Sequence, residues 1–114
     1  MFDFEKLEVY QLAKETNTLV FKFINKQREI DDFVSNQWKR ASLSSMLNLA
    51  EGVGRISKAD KKHFLTIARG SVFECVAVLQ SQKDLGLIDD ETYSEMYDKY
   101  EQVSKMLLGL FRSY

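Results

Sequence analysis

The chain reads as an all-α protein, an antiparallel up-down-up-down four-helix bundle. Three observations predict it. Apolar residues recur at three- and four-residue intervals along nearly the whole length, and nothing alternates with period two over a useful span. The 114 residues include no proline, a composition that long helices tolerate and loop-rich folds seldom show. Polar or glycine-bearing breaks separate four segments, each about 20–28 residues long, which short connections join into a single domain.

The first helix is expected from Asp3 to Asn25, with Val9, Leu12, Ala13, Val20, Phe23 and Ile24 as its apolar stripe and Lys6, Lys14, Lys22 and Lys26 on a solvated face. A polar connection, Lys26 to Asp32, offers Asp31 or Asp32 as cap for the second helix. That helix runs through Trp38, Ala41, Ser42, Ser45, Leu49 and Ala50 to about Val53, and its small residues let a neighbour approach closely. Gly52 and Gly54 read as a stop, since glycine accepts the left-handed conformation at a helix C-terminus. Ser57 caps the third helix with Asp60 three residues on. This helix turns Phe64, Leu65, Ala68, Val72, Cys75, Val76 and Leu79 inward and ends near Gly86. Gly70 in its interior costs about 1 kcal/mol relative to alanine, so close helix contact is expected there in return. Asp89 or Asp90 opens the fourth helix, whose stripe is Tyr93, Met96/Tyr97, Tyr100, Val103/Ser104, Leu107 and Leu110/Phe111.

Hydrophobic residues make up 45% and charged residues 29%, ordinary for a helical domain. No apolar run reads as a membrane span and the acidic start does not read as a signal peptide, so no membrane and a cytoplasmic location are expected. Net charge is −1, but it is unevenly spread. Lys39, Arg40, Arg55, Lys58, Lys61, Lys62 and Arg69 face only Glu51 and Asp60 within residues 39–69, and both flanking segments are acidic. Cations at 58–62 oppose the dipole of the helix they open, which points to a role beyond stability. Lys39 and Arg40 lie about 15 residues, roughly 22 Å of helix, from that corner.

Catalytic chemistry finds no support. A di-iron bundle needs Glu-x-x-His on two helices, whereas the one histidine, His63, is preceded by Asp60. The serines lie within helices with no nucleophile elbow, and the single Cys75 shares a stripe with Val72, Val76 and Leu79 as a buried thiol. The Gly52-Val53-Gly54 run follows a helix and lacks a third glycine and a Gly-Lys-Ser/Thr ending, so it is no phosphate loop. No metal, no cofactor and no enzyme are expected. Asn48 with Glu51, and Ser71 with Glu74, each sit one turn apart and are expected to join Arg40, Arg55 or Arg69 in a network that sets helix register.

Around this centre the sequence resembles the four-helix-bundle family encoded in 23S ribosomal RNA intervening sequences. The family pattern runs Q-x-x-R-A, small residues, N-I-A-E-G, R, then F-L-x-I-A-x-G-S-x-x-E. Here it reads Gln37-Trp38-Lys39-Arg40-Ala41, Asn48-Leu49-Ala50-Glu51-Gly52, Arg55, and Phe64-Leu65-Thr66-Ile67-Ala68-Arg69-Gly70-Ser71-Val72-Phe73-Glu74. Phe4 to Tyr10 and Leu107 to Leu110 resemble the family's two ends. Met46 stands where the family usually has proline, which implies a straighter second helix. The family is similar to the accessory protein of diversity-generating retroelements, a pentameric ring with a positive surface that associates with nucleic acid and reverse transcriptase. The resemblance implies a homopentamer without catalysis and RNA as a partner.

The expected function is therefore nucleic-acid binding through Lys39, Arg40, Arg55, Lys58, Lys61, Lys62 and Arg69. Asn48, Glu51, Gly52, Gly70, Ser71 and Glu74 are expected to build the close-packed seam. The alternative is a protein scaffold, for a partner such as a reverse transcriptase, using the fourth helix's Tyr93, Tyr97, Tyr100 and Tyr114.

Overall fold

Each expected helix forms, and its ends are set by chemistry that the chain carries locally. The computed structural model describes all residues, Met1–Tyr114: a 3-10 turn (Asp3–Lys6), α1 (Glu8–Lys26), α2 (Asp32–Gly54), α3 (Lys58–Asp84) and α4 (Asp90–Ser113). Asp31 caps α2 by accepting from the Phe33 and Val34 amides at 2.9 and 3.3 Å. Ser57 caps α3 through the Asp60 amide at 3.1 Å, and Asp89 caps α4 through the Thr92 amide at 2.7 Å. Gly86 closes α3 at φ +76°: its own amide reaches Lys83 O and the Leu87 amide reaches Gln82 O, both at 3.0 Å. That doubled bonding satisfies carbonyls the helix leaves open.

The first helix begins later than expected. Leu7 is extended (φ −80°, ψ 131°) and separates the 3-10 turn from α1. Phe4 packs edge-on against Tyr10, ring centroids 4.7 Å apart, and the Gln11 Nε2 donates to Glu5 O at 2.7 Å. These contacts fold residues 2–6 back as a ledge over α1 and α2 instead of extending the helix.

The helices pack in sequence order around a square, α1 beside α2 and α4, α3 beside α2 and α4, giving the up-down-up-down bundle. One core runs its length, 44 Å in the longest dimension. It takes Val9, Ala13, Val20 and Ile24 from α1, Trp38, Ala41 and Leu49 from α2, Leu65, Ala68, Val72, Cys75 and Leu79 from α3, and Met96, Tyr100, Val103 and Leu107 from α4. Leu12 and Phe23 are only partly buried, and Thr16 occupies the stripe between Ala13 and Val20. Its hydroxyl donates to Leu12 O at 2.7 Å, so a polar side chain sits in the core at no unpaired cost. Trp38 reaches across to the diagonal helix, where its Nε1 donates to Tyr100 Oη at 3.0 Å.

The glycines divide differently from expectation. Neither Gly52 nor Gly54 is left-handed; α2 ends as Arg55 turns extended. Gly52 is glycine because α3 passes over it: a Cβ there would meet Phe64 Cβ at 3.0 Å and Lys61 O at 3.2 Å. Gly70 has nothing within 4 Å of an added Cβ and is exposed, so the close contact expected at that position is absent within the chain. α2 is one uninterrupted helix through Met46. By length and composition alone α3 is apolar enough to cross a membrane, although Arg69 and Glu74 interrupt its apolar stretch; in the fold it packs its apolar stripe between α2 and α4.

Candidate functional site

The seven central cations do not form one patch. Arg55, Lys58, Lys61 and Lys62 gather where α2 turns into α3, and Arg69 follows two turns along α3. Lys39 is drawn toward α1, where its Nζ donates to Asn25 Oδ1 and lies 5.7 Å from the Phe21 ring centre. Arg40 is exposed and has no side-chain partner.

At the corner the cations are interleaved with aromatic rings. The Arg55 guanidinium lies 4.4 Å from the Phe64 ring centre, Lys61 4.9 Å from Tyr114, Lys62 4.9 Å from Phe111 and Arg69 4.8 Å from Phe73. Only Arg55 also meets a carboxylate, Glu51 Oε1 at 3.0 Å, both groups being substantially exposed. Lys58 is exposed and unengaged. Lys61 has a second task, donating to Val53 O at 2.7 Å and so neutralising the C-terminal end of α2. Arg69 Nε points at Ser104 O, 3.4 Å away, which leaves its terminal nitrogens free. His63 is exposed beside the Phe64 ring.

The seam holds part of its expected set. Ser44 Oγ and Ser71 Oγ are 2.9 Å apart across α2 and α3, and Asn48 Nδ2 donates to Ser44 Oγ at 3.0 Å and to Ser44 O at 2.9 Å. The bond that crosses from α2 to α3 is thus Ser44–Ser71, with Asn48 bracing Ser44 from within α2 and Gly52 beside them. Glu51 instead pairs outward with Arg55, and Gly70 and Glu74 are exposed. The register is also fixed from α1, since Ser42 Oγ donates to Asn17 Oδ1 at 2.8 Å. No buried side-chain nitrogen or oxygen lacks a partner.

Cys75 is fully buried; burial pushes its thiol up to about 12, against a smaller lowering by Tyr100. Burial likewise raises the Tyr100 hydroxyl well above the ordinary phenol range. A group so held is a packing thiol, not a nucleophile. The fourth-helix tyrosines, read in sequence as a surface excess, are largely used in packing. Tyr100 is core, Tyr93 and Tyr97 stack on each other at 5.8 Å, and Tyr114 lies under Lys61. Sequence reasoning missed the rings of Phe64, Phe73, Phe111 and Tyr114 as partners of the cations; the closing Leu-Phe-Arg-Ser-Tyr run was the available signal.

Between α3 and α4 below this corner runs an apolar groove of about 370 Å³, floored by Leu65 and Leu107 and walled by Leu108, Phe111 and Phe73, with Arg69 at its edge. A second groove of about 330 Å³ continues from Phe73 past Val76 and Tyr97.

These features define a helical bundle with a basic and aromatic corner, in which no three His, Cys, Asp or Glu side chains gather as a metal site would require. The chain belongs to the 23S rRNA-intervening sequence protein family, whose model matches residues 5–109. Its fold is similar to a crystal structure of a protein of unknown function from the S23 ribosomal protein family of Bacteroides thetaiotaomicron. The TM-score is 0.82 at 24% identity, over 90% of this chain and 97% of that one. No curated protein matches the chain.

Proposed function

We propose that this protein is a non-enzymatic homo-oligomer, a ring of five in the leading form, that binds RNA or another nucleic acid through basic patches repeated around the assembly. The observation that carries this reading is the corner where Arg55 and Lys61 lie beside the Phe64 and Tyr114 rings, next to the unengaged Lys58. Cations beside ring faces supply both things a nucleic-acid surface needs, charge for the phosphates and π-surface for unpaired bases. Assembly multiplies a patch that is modest on one chain into a field of several kT. Family membership adds the genetic setting of a ribosomal RNA gene, by association only.

Filter binding of labelled RNA by the intact protein, titrated with salt from low ionic strength, tests it. The logarithm of affinity should fall with the logarithm of salt by roughly 0.7–0.9 per phosphate neutralised. Arg55→Gln with Lys58→Gln should weaken binding and flatten that slope while leaving the helical signal intact. Undetectable affinity at low salt, or an affinity indifferent to salt, overturns the reading.

A further inference from the structure

Two apolar surfaces that a single chain leaves uncovered match each other. One is the ledge before α1. Phe2 is 72% exposed, its ring stacked on Phe4 at 6.0 Å, and Phe4 is anchored on Tyr10. Beside it Asp3 and Glu5 have no cationic partner, the only ion pairs being Glu51–Arg55, Asp90–Lys83, Glu15–Lys99 and Glu101–Lys105. The other is the groove between α3 and α4. Phe73 stands 53% exposed at its rim, Gly70 leaves it open, and neither Arg69 at its edge nor Lys62, over the ring of its Phe111 wall, has a carboxylate. Apolar surface and opposite charge are thus left over on both sides.

The Glu15–Lys99 contact at 3.0 Å sets the register of antiparallel α1 and α4, which brings the ledge near the level of Phe111 at the end of the groove. The ledge packs on α1 and α2 only, whereas the groove lies between α3 and α4, so a chain does not cover its own groove.

We propose that the Phe2–Glu5 ledge of one copy docks in the α3–α4 groove of a second copy, with Phe2 against Phe73 and the Asp3 and Glu5 carboxylates against Lys62 and Arg69. This rests on the homo-oligomeric reading and supplies its contact. Donor and acceptor differ, so the contact is head-to-tail. The ledge is held in place before docking, which lowers the ordering cost of association. Lys62 and Arg69 then serve assembly, while Arg40, Arg55, Lys58 and Lys61 stay outside for the ligand.

Light scattering of the full chain, Phe2→Ser and Phe73→Ser at one concentration tests this, with circular dichroism confirming that both variants, altered at exposed rings, stay helical. Each variant should associate at least about tenfold more weakly and run as a single chain. An equimolar mixture should recover a mass of two chains, because it retains one intact ledge and one intact groove. Asp3→Lys with Glu5→Lys should dissociate the assembly, and adding Lys62→Glu with Arg69→Glu should restore it. A natural-sequence assembly that survives both phenylalanine substitutions, or a mixture that stays single-chain, overturns the docking and leaves oligomerisation standing. A natural sequence that is itself a single chain overturns both.

Discussion

Cys75 shows most directly how one side chain writes a measurable property into the whole fold. Its thiol and the Tyr100 hydroxyl are buried as neutral groups, and burial raises both above their ordinary values. Below the unfolded-state thiol value of 9.0 both states of the protein keep this proton, and the thiol adds no pH dependence. Above it the unfolded chain releases the proton while the folded chain holds it until about 12. Stability should therefore fall through that window, with a slope of about 1.4 kcal/mol per pH unit for the thiol. Urea unfolding at pH 8 and pH 10.5 checks this, and Cys75→Ala should reduce the slope; an unchanged slope would contradict the assignment. Glycines give a second residue-scale contrast. Gly52→Ala drives a methyl against Phe64 and Lys61 and should cost about 1–3 kcal/mol. Gly109→Ala, where nothing lies within 4 Å of the added carbon, should gain about 0.5–1 kcal/mol by helix propensity. Both are read from denaturant midpoints.

At the scale of the element, the helices were legible in the sequence because their periodicity and caps are local. Asp31, Ser57, Asp89 and Gly86 each act within three or four residues of themselves. What stayed illegible depends on neighbours distant in sequence. Gly52 and Gly70 look alike in the chain, yet only the first lies under another helix. The start of α1 was misplaced because Phe4 and Tyr10 fold the preceding turn back on itself. Lys58 and Lys61 read as members of one charge cluster, but Lys61 also caps α2 through Val53 O. Lys61→Gln should accordingly cost about 0.5–1.5 kcal/mol, while Lys58→Gln should leave stability within about 0.5 kcal/mol of the starting value. Equilibrium urea unfolding separates the two. The difference decides how the cluster can be probed, since a binding defect in Lys58→Gln reports on the surface whereas one in Lys61→Gln mixes surface with fold. Asn48 and Ser71 read as seam residues, but the side chain that both of them meet is Ser44, which sequence reasoning left out. Glu51 and Glu74 share their motif but lie on the outer faces, where Glu51 meets only Arg55 and Glu74 faces water.

For the whole molecule the consequence is cooperativity, and Trp38 is placed to report it. The indole sits at 0% exposure, meets Phe23 of α1 edge-on at 6.1 Å, and donates to Tyr100 of α4. One side chain of α2 thus touches two other helices of a single core. In a bundle whose core is shared this way, no helix can leave without disturbing the indole, so tryptophan fluorescence and far-ultraviolet circular dichroism should give coincident unfolding transitions. Tyr100→Phe leaves the indole N–H buried without an acceptor and should lower stability by about 1–3 kcal/mol in both signals together. Assembly adds a separate signature: if copies dock through their folded surfaces, the midpoint rises with protein concentration, because association draws on the folded state only. Phe73→Ser lies outside the core at the rim of the groove, so it should abolish that concentration dependence while leaving the two probes coincident. Probes that separate in the natural sequence would instead mean that a helix is held by the assembly and not by the core, most plainly α1, whose leading ledge would then be ordered by the neighbour it docks with.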